Sequence, residues 1–245
     1  MAHRETVLCE LFGGSPPLGL DCGRFLDLDP AGGRIASACT LKGLARMGLR
    51  AAAVTARDMF YGVDFIRRIA DSTGIVFVCA NILWEDSGSS VFPAWETLPL
   101  DNLTLAVTAL AQCQAGRRFP GLGTWATVPP DSVLEDVRGT IPEGADLVVL
   151  LTDMDEESLG GLLPRFPEVD IVLTSSRKVH SKSPFKIGGV HVVHPRPDGG
   201  SVEVVVIPRS SVRGCSAIGY LSRPLGTQIA PNPETDAWLR RCLRR

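Results

Sequence analysis

"LKGLARMGLRAAAVTARDMFYGVDFIRRIADSTGIVFVCANI" (Leu41–Ile82) decides how the rest of the chain is read. Leu49 to Ala56 is apolar at almost every position, as expected of a strand covered on both faces. Val63, Phe65, Ile66 and Ile69 then recur at helical spacing, and Gly74 to Ile82 returns to an apolar run of strand length. Helix, strand, short polar turn, helix, strand is the order of an α/β protein. The turn "TARDMFYG" (Thr55–Gly62) sits where such folds place catalytic loops, at the carboxyl end of a strand.

The same alternation extends outward. Upstream, "GGRIASACTLKGLARMG" places Ile35, Ala38, Leu41, Leu44, Ala45 and Met47 near one helical face, with Gly48 as the stop. Strands are expected at "TVLCELF", "PLGLDCG", "LTLAVTALA", "ADLVVLLTDM", "VDIVLTSS", "GVHVVHP" and "SVEVVVIP". The last two flank "RPDGG", where Asp198-Gly199 is a turn signal, and are expected to pair as an antiparallel hairpin. Helices are expected in "PPDSVLEDVRGTIPEG" and in "DEESLGGLLPRFPEV", the latter cut by Pro164. "WLRRCLRR" (Trp238–Arg245) reads as a solvated last helical turn whose cations suit a helix C-terminus.

Composition narrows the function classes. The 245 residues are 44% apolar and 21% charged, with a formal net charge of −2. That provides for a substantial core and indicates no general attraction to nucleic acid or anionic membrane. No apolar run reaches the roughly 18 residues of a membrane span. The start, "MAHRETVLCELF", shows no h-region of a secretory signal. Seven cysteines are dispersed and never form C-x-x-C, which predicts buried free thiols in a reducing cytoplasm rather than a disulfide framework or a zinc site.

The opening segment resembles the 5′-nucleotidase branch of the calcineurin-like metallophosphoesterases. There a helix ends "lgyDa", a strand leads into "GNHEFDyG", a helix follows, and the next strand ends "saNi". The matching elements are Met47 to Ala51, Thr55 to Gly62, the helix from Val63, and Ala80-Asn81-Ile82. "LTLAVTALA" looks like the family's "kVgviGl" strand, "ADLVVLLTDM" like the strand ending "lsH", and "FPEVDIVLTSS" like "ipgIDlilgGH". The resemblance spans about Leu18 to Ile207. It implies an α/β sandwich of two mixed sheets face to face with helices outside. The expected division is one domain over 1–208 and a tail with a short basic helix over 209–245, with no room for the substrate-recognition domain of full-length 5′-nucleotidases.

The family's chemistry needs two metal ions held by Asp, His and Asn at strand ends, which bind phosphate and generate hydroxide. Its five motifs are replaced here. The opening Asp-x-His has no counterpart in "VLCELFGG". The Gly-Asp of the bridging carboxylate reads Gly23-Arg24. Gly-Asn-His-Glu reads Thr55-Ala56-Arg57-Asp58. The strand-end His reads Asp153, and Gly-His-x-His reads Ser175-Ser176-Arg177-Lys178. Arg24, Arg57, Arg177 and Lys178 would face the space the metals occupy, and like charges repel a cation. No dinuclear site, catalytic residue or cofactor is therefore expected.

Three readings of function follow. The first is a degenerate relative acting as a binding, regulatory or scaffold protein, with an oligomer or an enzyme complex as its setting. The second is a phosphoesterase with altered ligands, in which Asp58 and Asp153 hold a divalent ion (Mn, Zn or Mg). Pairing of these two carboxylates with the neighbouring Arg and Lys residues is the favoured alternative to a metal. The third is a metal-free sensor whose Arg24, Arg57, Arg177 and Lys178 bind the anion of a phosphorylated small molecule or nucleotide. His180 reads as a loop residue rather than a displaced ligand, and His191 and His194 point to opposite faces of a strand. Cys22, beside Arg24, reads as an inert half-buried thiol. "GGSPPLG" and "AGGRIA" lack the residues of phosphate-binding loops.

Overall fold

A computed structural model describes residues 1–13, 17–29, 31–113, 124–195, 200–208 and 218–244. In chain order its elements are α1 (Ala2–Phe12), β1 (Gly19–Asp21), α2 (Gly33–Arg46), β2 (Leu49–Ala53), α3 (Val63–Thr73), β3 (Val76–Val78) and β4 (Ile82–Trp84). There follow β5 (Trp95–Leu100), β6 (Leu103–Leu110), β7 (Trp125–Thr127), α4 (Leu134–Gly139), β8 (Leu147–Thr152), α5 (Glu156–Leu162) and β9 (Ile171–Thr174). The last elements are β10 (Phe185–Ile187), β11 (Val190–Val193), β12 (Ser201–Val206), β13 (Gly219–Pro224) and α6 (Pro233–Cys242).

Two sheets face each other between layers of helices. One is parallel, in the order β1-β2-β3; the other is mixed, in the order β10-β11-β9-β8-β6-β5. Side-chain alternation along the strands builds the layers. Leu147, Val149 and Leu151 of β8, with Leu105, Val107 and Ala109 of β6, pack against Ala51 and Ala53 of β2 between the sheets. The intervening residues, Val148 and Leu150 of β8 and Ala106 and Leu110 of β6, face α4 and α5. On the far side, Ala52 and Val54 pack against Leu41 of α2 and Phe65, Ile66 and Ile69 of α3. This is the helix–sheet–sheet–helix arrangement expected, with β8 buried at every residue because both its faces are covered.

Four expectations are corrected. "TVLCELF" lies in helix α1, not in a strand. Val7 with Leu11, and Leu8 with Phe12, stand four apart, a helical spacing that a short apolar run also offers as alternation. α1 ends at Gly13 in the left-handed region (φ 60°). Secondly, "GVHVVHP" does not pair with "SVEVVVIP". β11 lies between β9 and β10, and its hairpin partner is β10, across Gly188-Gly189, both at positive φ. Consecutive glycines suit a two-residue hairpin turn. β12 pairs instead with β13, antiparallel over Ser201–Val206 and Gly219–Pro224. Asp198-Gly199 lies outside the described residues.

Thirdly, Ile35 is 45% exposed, whereas Leu41 and Met47 are buried and Ala38, Leu44 and Ala45 pack against the core as expected; Ser37, Cys39 and Gly43 are buried as well. Gly43 is small because Met1, which caps α1, and Trp238 of α6 crowd against it. Fourthly, Cys39 and Cys242 form a disulfide, their Cα atoms 5.9 Å apart. That pairing joins residues far apart in sequence, which spacing cannot reveal. Cys9, Cys22, Cys79 and Cys113 are free, and Cys215 lies outside the described residues. No described helix is long and apolar enough to cross a membrane.

Candidate functional site

The carboxyl ends of β1, β2, β6, β8 and β9 converge, and the loops leaving them carry the candidate residues. Asp58 is the centre. It lies in a one-turn helix over Asp58–Tyr61, after β2, and is fully buried. Its Oδ2 accepts hydrogen bonds from the Thr55 amide (3.0 Å), the Thr55 hydroxyl (2.6 Å) and the Arg24 amide (2.8 Å). The carboxylate thus ties the turn after β2 to the loop after β1. Gly23 is required beside it: its φ is +85°, and an added Cβ would lie 2.6 Å from Thr55 Cγ2 and 3.1 Å from Asp58 Oδ2. Arg24 itself has φ +66°, a conformation uncommon outside glycine.

Asp153 follows β8, and its Oδ1 accepts from the Gln112 amide (2.7 Å) at the end of β6. The Ser175 hydroxyl donates to the Cys22 carbonyl (3.0 Å), bringing the loop after β9 against the loop after β1. Asn81 braces the floor. Its Oδ1 accepts from the Ala111 amide (2.7 Å), and its Nδ2 donates to the carbonyls of Ala111 and Val128, each at 2.8 Å.

Burial pushes the Asp58 carboxyl above the usual carboxylate range, against the pull of the Thr55 hydroxyl and of the amides of Arg24, Thr55 and Leu26. Burial does the same at Asp153; the nearby Asp58 adds to it, while the Gln112 amide and the Arg24 guanidinium oppose it. A third carboxyl, Asp21 at the end of β1, was passed over in the sequence. Burial pushes it up to about 6, the Gly23 amide opposing, Asp58 adding, and Arg4 of α1 opposing. Asp21 precedes the Gly23-Arg24 pair that aligns with the family motif, and Arg4 lies just ahead of "TVLCELF", the stretch expected to be a strand. Burial also raises the Cys22 thiol well above its ordinary value, so this cysteine is inert at neutral pH.

These shifts give a pH dependence of definite sign. A carboxyl whose folded pKa exceeds its unfolded one binds the proton more tightly when folded. Its contribution is therefore fully present at low pH and is lost as pH rises. For Asp21 the window runs from 3.8, its ordinary value, to about 6. Asp21→Asn is expected to flatten the fall in stability between about pH 4 and pH 6, read as urea midpoints at a series of pH values. An unchanged slope would show that Asp21 does not titrate there.

The four basic residues are spread around the cluster. Arg24 is half-buried and close enough to lower Asp153, and Lys178, exposed, lowers Asp155. Arg57 and Arg177 are exposed. The loops bearing all four meet through the Asp58–Arg24 and Ser175–Cys22 bonds. The histidines do not join them. The amide of His180, an exposed residue, donates to Glu156 of α5 (3.2 Å), His191 is buried in β11, and His194 Nε2 meets the Ser181 carbonyl (2.9 Å).

The arrangement does not fit two metal ions. Asp58 Oδ2 already accepts three hydrogen bonds, Asp153 Oδ1 one, and both ends of Asn81 are bound to backbone. Among the described residues no three His, Cys, Asp or Glu side chains are placed to hold a metal. Among the described residues of the cluster, Asp58 Oδ1 and Gln112 Oε1 are buried without a hydrogen-bond partner, and each has room in its valence for a cation, a proton or a water.

Comparison with solved structures identifies this architecture. The fold is that of the calcineurin-like phosphoesterases. The sulfate thiohydrolase SoxB of Thermus thermophilus superposes with TM-score 0.82 at 16% identity, over 99% of this chain and 46% of that one. YfkN, a calcineurin-like phosphoesterase of Bacillus subtilis, gives 0.73 at 14%, over 100% of this chain and 89% of that one. A putative 5′-nucleotidase of Staphylococcus aureus gives 0.71 at 16%, over 100% and 52%. The chain thus spans about half the length of two of these three structures. No family profile and no curated protein matches the sequence.

Proposed function

We propose that this chain is a degenerate relative of the 5′-nucleotidase-like phosphoesterases, without a dinuclear metal site, acting as a binding, regulatory or scaffold protein. The observation supporting this is the use made of Asp58. A residue at a ligand-bearing loop is fully buried and spends one oxygen on the backbone of Thr55 and Arg24. Arg24 follows Gly23, where the resemblance calls for the bridging carboxylate. The loops keep their framework role while their side chains disfavour divalent cations. The named activities of the structural neighbours differ from one another, so the shared fold selects no substrate.

Protein incubated with Mn²⁺, Zn²⁺ and Mg²⁺ and then desalted is expected to retain no stoichiometric metal by elemental analysis. It is also expected to release no phosphate from nucleotides or aryl phosphates above the rate of a buffer blank. Two tightly held ions per chain, or metal-dependent hydrolysis, would sink this reading.

A second reading has its own support in Asp58 Oδ1. A single divalent ion held by Asp58 and Asp153 would satisfy that buried oxygen and lower both carboxyls. It would make the chain a phosphoric ester hydrolase with altered ligands. In the first reading these loops meet a protein partner; in the third, a metal-free sensor, Arg24, Arg57, Arg177 and Lys178 meet the anion of a phosphorylated small molecule. The Cys39–Cys242 disulfide favours an oxidising compartment over the cytoplasm.

A further inference from the structure

The last helix is held in an unusual way. Of the residues of α6, Thr235 alone is buried, and Trp238, Leu239 and Cys242 are half-exposed. A helix of ten residues is marginal in water by itself. The segment leading into it is bonded to α1: His3 Nδ1 donates to the Ile229 carbonyl (2.6 Å), Thr6 Oγ1 to that of Ala230 (2.7 Å), and the Asn232 amide to that of Ala2 (3.1 Å). From Pro233 on, α6 packs against both α1 and α2, and among the described residues its hold on α2 includes Trp238 beside Gly43 and under the Arg46 guanidinium (5.3 Å), and the bond from Cys242 to Cys39. The bond sits at the far end of the helix, across the face that apolar burial leaves thin.

We infer that α6 is a redox-released strap: the Cys39–Cys242 disulfide holds it on α2, and reduction by a dithiol frees it while the two sheets stay folded. This rests on the packing of α6 and not on the reading of the cleft. The donor's thiolate attacks Cys242 Sγ, the more accessible sulfur, and Cys39 leaves as a thiolate and takes up a proton. The donor's second thiol then displaces Cys242, which is protonated in turn. Two electrons pass to the protein, and the donor ends as a disulfide. Release uncovers Cys39 on α2 and dismantles the cavity of about 460 Å³ that Arg46 forms with Pro233, Glu234, Ala237, Trp238 and Arg241.

The test is iodoacetamide labelling with mass spectrometry, alongside hydrogen exchange, on the full chain with and without dithiothreitol. Without reductant, Cys39 is expected to be unreactive and the amides of 234–242 protected. With reductant, Cys39 is expected to label, and those amides to exchange at least about tenfold faster, while β6 and β8 keep their protection. Cys242→Ser should reproduce the reduced pattern without any reductant. Labelling of Cys39 in untreated protein would overturn the inference, since the bond would be absent. So would a Cys39 that stays unreactive after reduction, because the helix would then hold without the bond. Loss of protection across β6 and β8 would overturn it too, by making the bond a staple of the whole fold.

Discussion

Asn81→Ala is expected to lower the stability of the chain by about 4 kcal/mol, the sum of one stranded amide and two stranded carbonyls at a buried position. The residue is fully buried, and its two functional ends meet Ala111 twice and Val128 once. Asn81 is buried, so each partner it leaves stranded is expected to cost much of its desolvation. For a chain of this size that corresponds to a fall in Tm of roughly 10 °C. Asn81→Asp is expected to be comparably damaging although it is almost isosteric. It keeps the acceptor for the Ala111 amide but turns a second oxygen toward two carbonyls. The effect should also reach the cluster, since Ala111 precedes Gln112, whose amide binds Asp153. Thermal unfolding of the three proteins measures this. A loss under about 1 kcal/mol for Asn81→Ala would mean that water replaces the side chain and that the floor of the site is not dry.

The fold was legible where burial on both faces leaves no alternative. β2, β6, β8 and β9 show it, because strands between two layers are apolar at consecutive positions, and their alternate residues sort onto the two interfaces. α2 and α3 were legible for the opposite reason, a one-sided period. What failed was local ambiguity and distant pairing. α1 has an apolar content that suits strand and helix alike, and only its neighbours decide. β11 and β12 were each found, but β10 and β13, their actual partners, were not, so the two were paired with each other. Gly188-Gly189 is as good a turn as Asp198-Gly199, and composition does not rank them. The disulfide depends on α6 lying across α2, which no local signal carries.

The cluster was half legible. Asp58 and Asp153 were named from their places at strand ends, and the structure sets both among loops that meet. Asp21 and Arg4 were not named. A carboxyl becomes chemically unusual through desolvation, which depends on what the tertiary fold lays over it, and here that includes a helix misread as a strand. The four basic residues were assigned to one space from loop positions alone. The fold brings their loops together, while Arg24 and Lys178 act on the nearby carboxylates of Asp153 and Asp155.

Asp58→Ala and Asp58→Asn are expected to part company, and their divergence separates the two readings of the site. Alanine removes the acceptor shared by the Thr55 amide, the Thr55 hydroxyl and the Arg24 amide, at a cost of about 3 kcal/mol. The Arg24 loop, held at positive φ, loses the bond that keeps it there. Asparagine retains one oxygen for those three donors and replaces the unpartnered Oδ1 with an amide group. It also relieves the burial of a charge that already raises the carboxyl, so stability at pH 7 is expected to stay within about 1 kcal/mol of the parent. If Asp58 is a structural acceptor, Asp58→Asn is therefore a folded protein with the parent's ligand behaviour. If Asp58 and Asp153 instead share a divalent ion, Mg²⁺ or Mn²⁺ should raise the parent's Tm by mass action, and Asp58→Asn should abolish that rise without unfolding. Urea unfolding of the three proteins, repeated with and without each metal, distinguishes a carboxylate that holds two loops together from one that holds a cation.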